Sequence, residues 1–248
     1  MSSFVRLIFV VVMLGIAASL TLVLASNARS ARQQRAQVAA EKQRFDAFIQ
    51  RVDGHERHAE MAVEWQKLDS EGNVTQSALL IRQYTPGANG PEPLPIERVI
   101  VPGNEVRVDG VLMSFGPAFS DDYADLRGTT LAFFDHVYGA SQERPERFRF
   151  LTPNMVPAAA QTRASGTTHY ELHLWRYLWE LIQNPSSDAA ADFHIRWTAP
   201  APCTVRRGVV YMLFVGNDGT SIVESDDRAI LNNLVTEAET QPTSSQPD

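Results

Sequence analysis

One cysteine in 248 residues, Cys203, leaves nothing for an internal disulfide, so burial and hydrogen bonding alone must hold the fold, and a single thiol suits either redox compartment. The short signatures of chemistry are also missing. No G-x-S-x-G, P-loop, G-x-G-x-x-G or C-x-x-C occurs, which removes the usual sequence grounds for an esterase elbow, a nucleotide-phosphate loop, a dinucleotide fold or a dithiol redox pair. Positive charge is in deficit, with 22 Lys and Arg against 29 Asp and Glu. The deficit is uneven: eight against five through residue 60, and fourteen against twenty-four beyond it. An acidic body argues against nucleic acid as a partner and against lying flat on anionic lipid, while the basic first part suits headgroups beside a membrane span.

What is present begins with a hydrophobic run. Residues 7–25, LIFVVVMLGIAASLTLVLA, carry no charge over nineteen positions, and a helix of that length reaches about 28 Å, close to the hydrocarbon thickness. Residues 1–28 are therefore expected to form a signal-anchor helix and to make the chain a single-pass membrane protein. A cleaved signal peptide is the competing reading, because Arg6 precedes the run and Ser26, Asn27 and Ala28 come after it, but a cleavable apolar core is about 7–15 residues long. Arg29, Arg32 and Arg35 after the span would by charge alone keep the body in the cytoplasm. A short polar N-terminal tail before an anchor favours export of the chain beyond the span, and the expected location of the main domain is extracytoplasmic.

Residues 29–56 are rich in Ala, Gln and Arg and lack Gly and Pro until Gly54, which predicts a helical stalk. A heptad frame places Ala31, Val38, Phe45 and Val52 at a, but Gln34, Glu41 and Phe48 at d. That polar seam suits a solvated spacer better than a coil, with a homodimer through the stalk as the alternative.

From Met61 the period changes to two. AVEWQKL and VTQSALLIRQY flank the turn residues DSEGN, so residues 60–84 read as a long hairpin. IERVIV and EVRVDGVLMSF continue it as an antiparallel meander. In the last run Val106 and Val108 share one parity and Val111, Met113 and Phe115 the other, which suggests a bulge at Gly110 that returns the apolar side to the core. GTTLAFFDHVYG repeats Leu131, Phe134, Val137 and Tyr138 at helical spacing and closes on Gly139, so a helix is expected there. THYELHLWRYLWELIQ predicts a second helix, DAAADF a short element, VVYMLFV and TSIVE a hairpin across GNDG, and DRAILNNLVTEAE a last helix. The expected fold is α+β: one domain over residues 57–239, an antiparallel meander plus hairpin covered on one side by a few helices, with a disordered tail at 240–248.

His169 and His173 lie four apart on the second helix, with Glu180 on the same face. That is the spacing zinc-binding helices use, and the three make a candidate metal site. The zinc-protease pattern is absent, since Glu171 does not adjoin the first histidine, and Arg176 in the centre of the face opposes a cation. Thr168 and Glu171 form a capping box. Leu172, Leu174, Trp175, Leu178, Trp179, Leu181 and Ile182 project as one apolar arc, which makes the tryptophans core before it makes them a ligand pocket. His55 and His58 read as junction packing, Asp121, Asp122 and Asp125 as a solvated turn, and Cys203 as an inert thiol. Asp135 and His136 on the expected helix point apart, which disfavours a relay.

The layout of anchor, stalk and strand-rich domain is similar to that of many bacterial envelope proteins, an architecture that carries no residue-level function. The functional expectation is a membrane-anchored, non-catalytic binding or assembly module that needs no cofactor and meets an unidentified protein partner. The alternatives are a metal-assisted hydrolase using His169, His173 and Glu180, and a small-ligand-binding domain near Trp175 and Trp179.

Overall fold

The computed structural model describes residues 27, 29–43, 45–46, 49, 57–87, 90–143, 146–160, 169–186 and 191–241. The expected anchor at 7–25 lies outside them, as do Gly54, His55 and Thr168 and with it the capping box. Among the described residues no helix is long and apolar enough to cross a membrane. The chain divides into two units, Met1–Phe45 and Asp46–Asp248. In the first, residues 29–43 are helical (α1) and largely exposed, as a run of good helix formers without an apolar stripe should be.

The second unit is α+β and built on two antiparallel sheets. β1 (Arg57–Leu68) and β2 (Val74–Gly87) form the expected hairpin. Its turn is closed by Asp69, whose Oδ1 accepts the backbone N–H groups of Glu71 and Asn73, and Gly72 takes the positive φ of 87° that the turn needs. β3 (Gly90–Pro93) and β4 (Glu97–Pro102) follow one another along the far side of β2. β10 (Val210–Gly216) pairs with β1 and then with β11 (Gly219–Ser225), so the hairpin read from VVYMLFV and TSIVE joins this sheet.

The second sheet is centred on β5 (Glu105–Phe115), which pairs with β6 (Thr130–Gly139) on one side. β8 (Phe193–Trp197) and β9 (Ala201–Thr204) share its other side, and β7 (Phe148–Arg149) lies beyond β6. The facing sides of the two sheets form one core: Met61 and Val63 from β1, Leu79 and Ile81 from β2, Val99 and Val101 from β4, Val106, Val108 and Leu112 from β5, Phe134 and Val137 from β6, and Tyr211, Leu213 and Val215 from β10. Each such side chain stabilises the fold by about 1.5–3 kcal/mol relative to exposure.

Three expectations about the strands are corrected. The meander does not stay in one sheet: at Gly103 the chain crosses over and β5 founds the second. The parity change in β5 is not repaired either. Val106, Val108 and Leu112 enter the core between the sheets, whereas Val111, Met113 and Phe115 are buried on the opposite side, because both faces of this strand are covered.

GTTLAFFDHVYG is β6, not a helix. Its Thr, Phe, Val and Tyr residues suit a strand, and its helical spacing arises from burial on both faces together with a β-bulge. Asp109 pairs with His136 and Gly110 with Phe134, so Asp135 is an extra residue in β6. The insertion brings Phe134 and Val137, three apart, into the same core, a separation that a regular strand would send to opposite faces.

The helices also divide between the sheets. α2 (His169–Gln183) buries Leu174, Trp175, Leu178, Trp179 and Leu181, with Trp175 edge-on to Phe133 of β6 at 5.5 Å between ring centroids. Leu172 of the expected apolar arc is instead 49% exposed. α3 (Arg228–Thr240) starts at Asp227, whose carboxylate accepts the N–H groups of Ala229 and Ile230, and packs on β1, β2 and β10. Its Glu237 reaches Arg82 on β2 at 3.0 Å, and Arg82 holds Glu60 on β1 at 2.7 Å. That buried pair beneath α3 fixes the helix by charge as well as by Leu234 and Ala238. The stretch read as DAAADF ends in Phe193, the first residue of β8, and its residues 188–190 are outside the described ones.

Candidate functional site

The bulge in β6 builds the one place where three potential metal-ligating side chains meet among the described residues. In a regular strand Asp135 and His136 would project to opposite faces. The extra residue turns both toward Asp109 on β5. His136 Nδ1 lies 3.1 Å from Asp135 Oδ2 and 3.2 Å from Asp109 Oδ1, and the His136 backbone N–H donates to the same Asp109 oxygen at 3.0 Å. Asp135 is buried, and two further donors hold it: Arg149 Nε of β7 at 3.2 Å and Trp197 Nε1 of β8 at 3.3 Å. Every strand of the second sheet except β9 thus contributes one side chain or more to the cluster.

Electrostatics follow from the geometry. Burial works to lower the pKa of His136, but the hydrogen bonds and charges of Asp109 and Asp135 outweigh it, and the imidazole is pushed up to about 9. Burial likewise works to raise Asp135, and the His136 and Arg149 charges overcome it and hold the carboxyl below its ordinary range. At neutral pH the cluster is an imidazolium between two carboxylates, with a guanidinium on the outer side. Its ligand atoms lie within 4.8 Å of one another, so Nδ1 and two carboxylate oxygens could face a divalent cation. A cation would first have to displace the proton that both carboxylates stabilise, and Arg149 would oppose it. The donor set fits a shared proton better than a metal.

Above this cluster stands an exposed aromatic residue. Trp197 is 52% exposed although its indole N–H is fixed to buried Asp135, and the neighbouring Arg149 side chain is 40% exposed. Arg147 lies with its guanidinium carbon 3.7 Å from the centroid of the Tyr138 ring. A tryptophan held at its polar end by Asp135, with Arg149 on the same carboxylate, has the composition of a protein-binding hot spot.

The residues proposed from sequence lie elsewhere. His169 and His173 are exposed on α2, their Nε2 atoms 3.0 Å apart. Glu180 is exposed two turns further along the helix. Trp175 and Trp179 are buried, at 2% and 3% exposure, and Trp179 Nε1 donates to the Met155 carbonyl at 2.7 Å. His58 stacks on Tyr84 at 4.8 Å. Asp121 pairs with Arg127 in a 3-10 turn, Asp121–Leu126. Cys203 is half-buried on β9, its thiol pKa raised by burial.

The cluster of Asp109, Asp135 and His136 was missed because the helical reading sent Asp135 and His136 apart. The signal that could have revealed it was the strand-forming composition of TLAFFDHVY, at odds with its period. Comparison with protein-family models, with curated proteins and with solved structures yields no match.

Proposed function

We propose that this chain is a membrane-anchored, non-catalytic binding or assembly module of a bacterial-type envelope. Residues 7–25 hold it in the bilayer, and the strand-rich domain on the extracytoplasmic side meets a partner protein. The observation that carries the reading is Trp197, an exposed tryptophan locked by its N–H to a buried carboxylate beside exposed Arg149. Side chains ordered before binding lose little entropy on docking, and Trp and Arg dominate interface energetics. The positive charge of Arg149 suits a partner surface that offers a carboxylate next to an apolar patch. The internal pairing of Asp109, Asp135 and His136 supports a non-catalytic role, since a histidine that keeps its proton at neutral pH is a poor general base.

The test is partner recovery from solubilised membranes by the full chain and by Trp197→Ser and Arg149→Ser variants, alongside thermal unfolding of each. Recovery that is lost in variants of unchanged stability supports the reading. A partner recovered equally by all three, or metal-dependent turnover by the purified protein, overturns it. The metal-assisted hydrolase is the second reading, favoured by the 3.0 Å approach of the His169 and His173 Nε2 atoms. Metal analysis of the purified full chain discriminates: a protein that co-purifies with no metal and whose stability ignores chelator removes it.

A further inference from the structure

Arg57 opens β1 and is 8% exposed. Among the described residues, its Nε and Nη2 atoms have no hydrogen-bond acceptor, and its guanidinium carbon lies 5.6 Å from the centroid of the Phe133 ring. Trp175, edge-on to the same ring, is 2% exposed, and its Nε1 also lacks an acceptor. Two buried side chains that both contact one phenylalanine therefore carry three N–H donors with no acceptor among the described residues. This is unusual, because buried donors are paired in the great majority of cases and an uncompensated buried charge is among the costliest features a fold can carry. Burial lowers the Arg57 pKa to about 10, which leaves it a cation at neutral pH.

The two arginine atoms concerned are informative. Nε–H and Nη2–H lie on one edge of the guanidinium and point the same way, matching the two oxygens of a carboxylate. The protein uses this edge in that way elsewhere: Arg98 donates from Nε to Glu64 Oε2 at 2.8 Å and from Nη2 to Glu64 Oε1 at 2.9 Å. Arg82 directs the same two nitrogens at Glu60. Arg57 presents the edge but is supplied with no carboxylate by the described residues.

We infer that Arg57, Phe133 and Trp175 form a binding site for a monocarboxylate with an apolar body. The carboxylate would take the Nε and Nη2 edge of Arg57, with the Trp175 N–H as a further donor and the Phe133 ring as an apolar wall. One cation matches one negative charge, which favours a monocarboxylate over a phosphate dianion. The site shares no residue with the Trp197 surface, although Phe133 and Trp197 both pair with Val111, and it does not depend on the function proposed for that surface.

The experiment titrates the full chain, purified in neutral detergent, with benzoate, with the neutral isostere benzamide and with inorganic phosphate. Thermal unfolding and tryptophan fluorescence are followed in the wild type, Arg57→Met and Trp175→Phe. Saturable stabilisation by benzoate, without response to benzamide or phosphate, is expected. Arg57→Met should weaken it about thirtyfold or more, the effect of truncating a buried charge partner, and Trp175→Phe about fivefold, that of one neutral hydrogen bond. Without ligand Arg57→Met should be at least as stable as the wild type, and benzoate should reverse the order. If Arg57→Met fails to fold, Trp175→Phe and the wild-type titrations still decide. Absence of saturable benzoate binding, equal response to benzamide, tighter binding of phosphate, or benzoate binding unchanged in either variant overturns the inference.

Discussion

His136 Nδ1 lies 3.1 Å from Oδ2 of Asp135, the residue directly before it in the same strand. Neighbours on a regular strand face opposite ways, so the contact exists only because β6 carries one residue more than β5 opposite Asp109 and Gly110. The bulge turns a sequence neighbour into an ion-pair partner, and Asp109 completes the pair from across the ladder.

Stability should depend on pH through this histidine. Its folded pKa, about 9, lies above the ordinary value of 6.5. The stabilisation is therefore complete below about pH 6.5 and is lost as pH rises through 9. After discounting for its partial exposure the loss should be about 2–3 kcal/mol. Urea denaturation from pH 6 to 10 checks this, and Asp109→Asn should flatten the profile. An NMR titration placing the His136 midpoint near 6.5 would contradict the geometry.

Asp135 has a depressed pKa, so its contribution is present above the unfolded carboxylate range and fades as acid protonates it. Asp135→Asn should cost about 3 kcal/mol at pH 7 by leaving Arg149 and His136 without their buried counter-charge. It should also bring the His136 pKa down and loosen Trp197, which intrinsic fluorescence can follow. A variant as stable as the wild type, with an unaltered Trp197 environment, would show that the cluster does not hold that side chain.

Gly110 is required for space and not for backbone freedom. A Cβ there would run into Val215 Cγ2 of β10 and sit 2.8 Å from the Phe133 carbonyl oxygen. Gly110→Ala should destabilise by about 2–3 kcal/mol. Adding Val215→Ala should recover only part of that, because the carbonyl belongs to the backbone. Full recovery in the double variant would assign the whole strain to Val215.

Thr198, 7% exposed, stands in for the ladder at the same bulge. Its hydroxyl accepts the Gly110 N–H at 2.8 Å and its own N–H donates to the Gly110 carbonyl at 2.9 Å. Thr198→Val keeps the shape and removes the acceptor, so it should cost about 1–2 kcal/mol. Amide exchange at Gly110 should quicken in parallel.

Topology decides which partners the domain can meet. A reporter fused after Asp248 that works only outside the cytoplasm is expected to be active. Silence from it, with fluorescence from a cytoplasm-only fusion, would reverse the orientation. Arg29, Arg32 and Arg35 changed to Gln should then let part of the population invert.

Strands β1, β2, β4, β5, β10 and β11 and helices α2 and α3 were legible in the chain, because turn residues such as Asp69 and Gly103 and the capping Asp227 act locally. β8 was not foreseen: FHIRW is short and buries chiefly Phe193. β6 was misread because burial on both faces and a bulge set by pairing with β5 give it a helical spacing, which only its strand-forming composition opposed. The exposed pairing of His169 and His173 followed from helix geometry alone, whereas Trp197 took on meaning only once its indole N–H was seen to reach Asp135 from two strands away.

The sequence by itself determined the acidic character of the body, the absence of disulfides, the antiparallel hairpins and the helical span of α2. These depend on composition, turn chemistry and periods of two or 3.6, which act over a few residues. Only the tertiary structure decided that the strands divide into two facing sheets, that both sides of β5 are buried, and that Asp109, Asp135, His136, Arg149 and Trp197 converge. Those outcomes depend on which strand lies beside which, and long-range pairing depends on the summed burial of both faces of every strand, which no local stretch encodes.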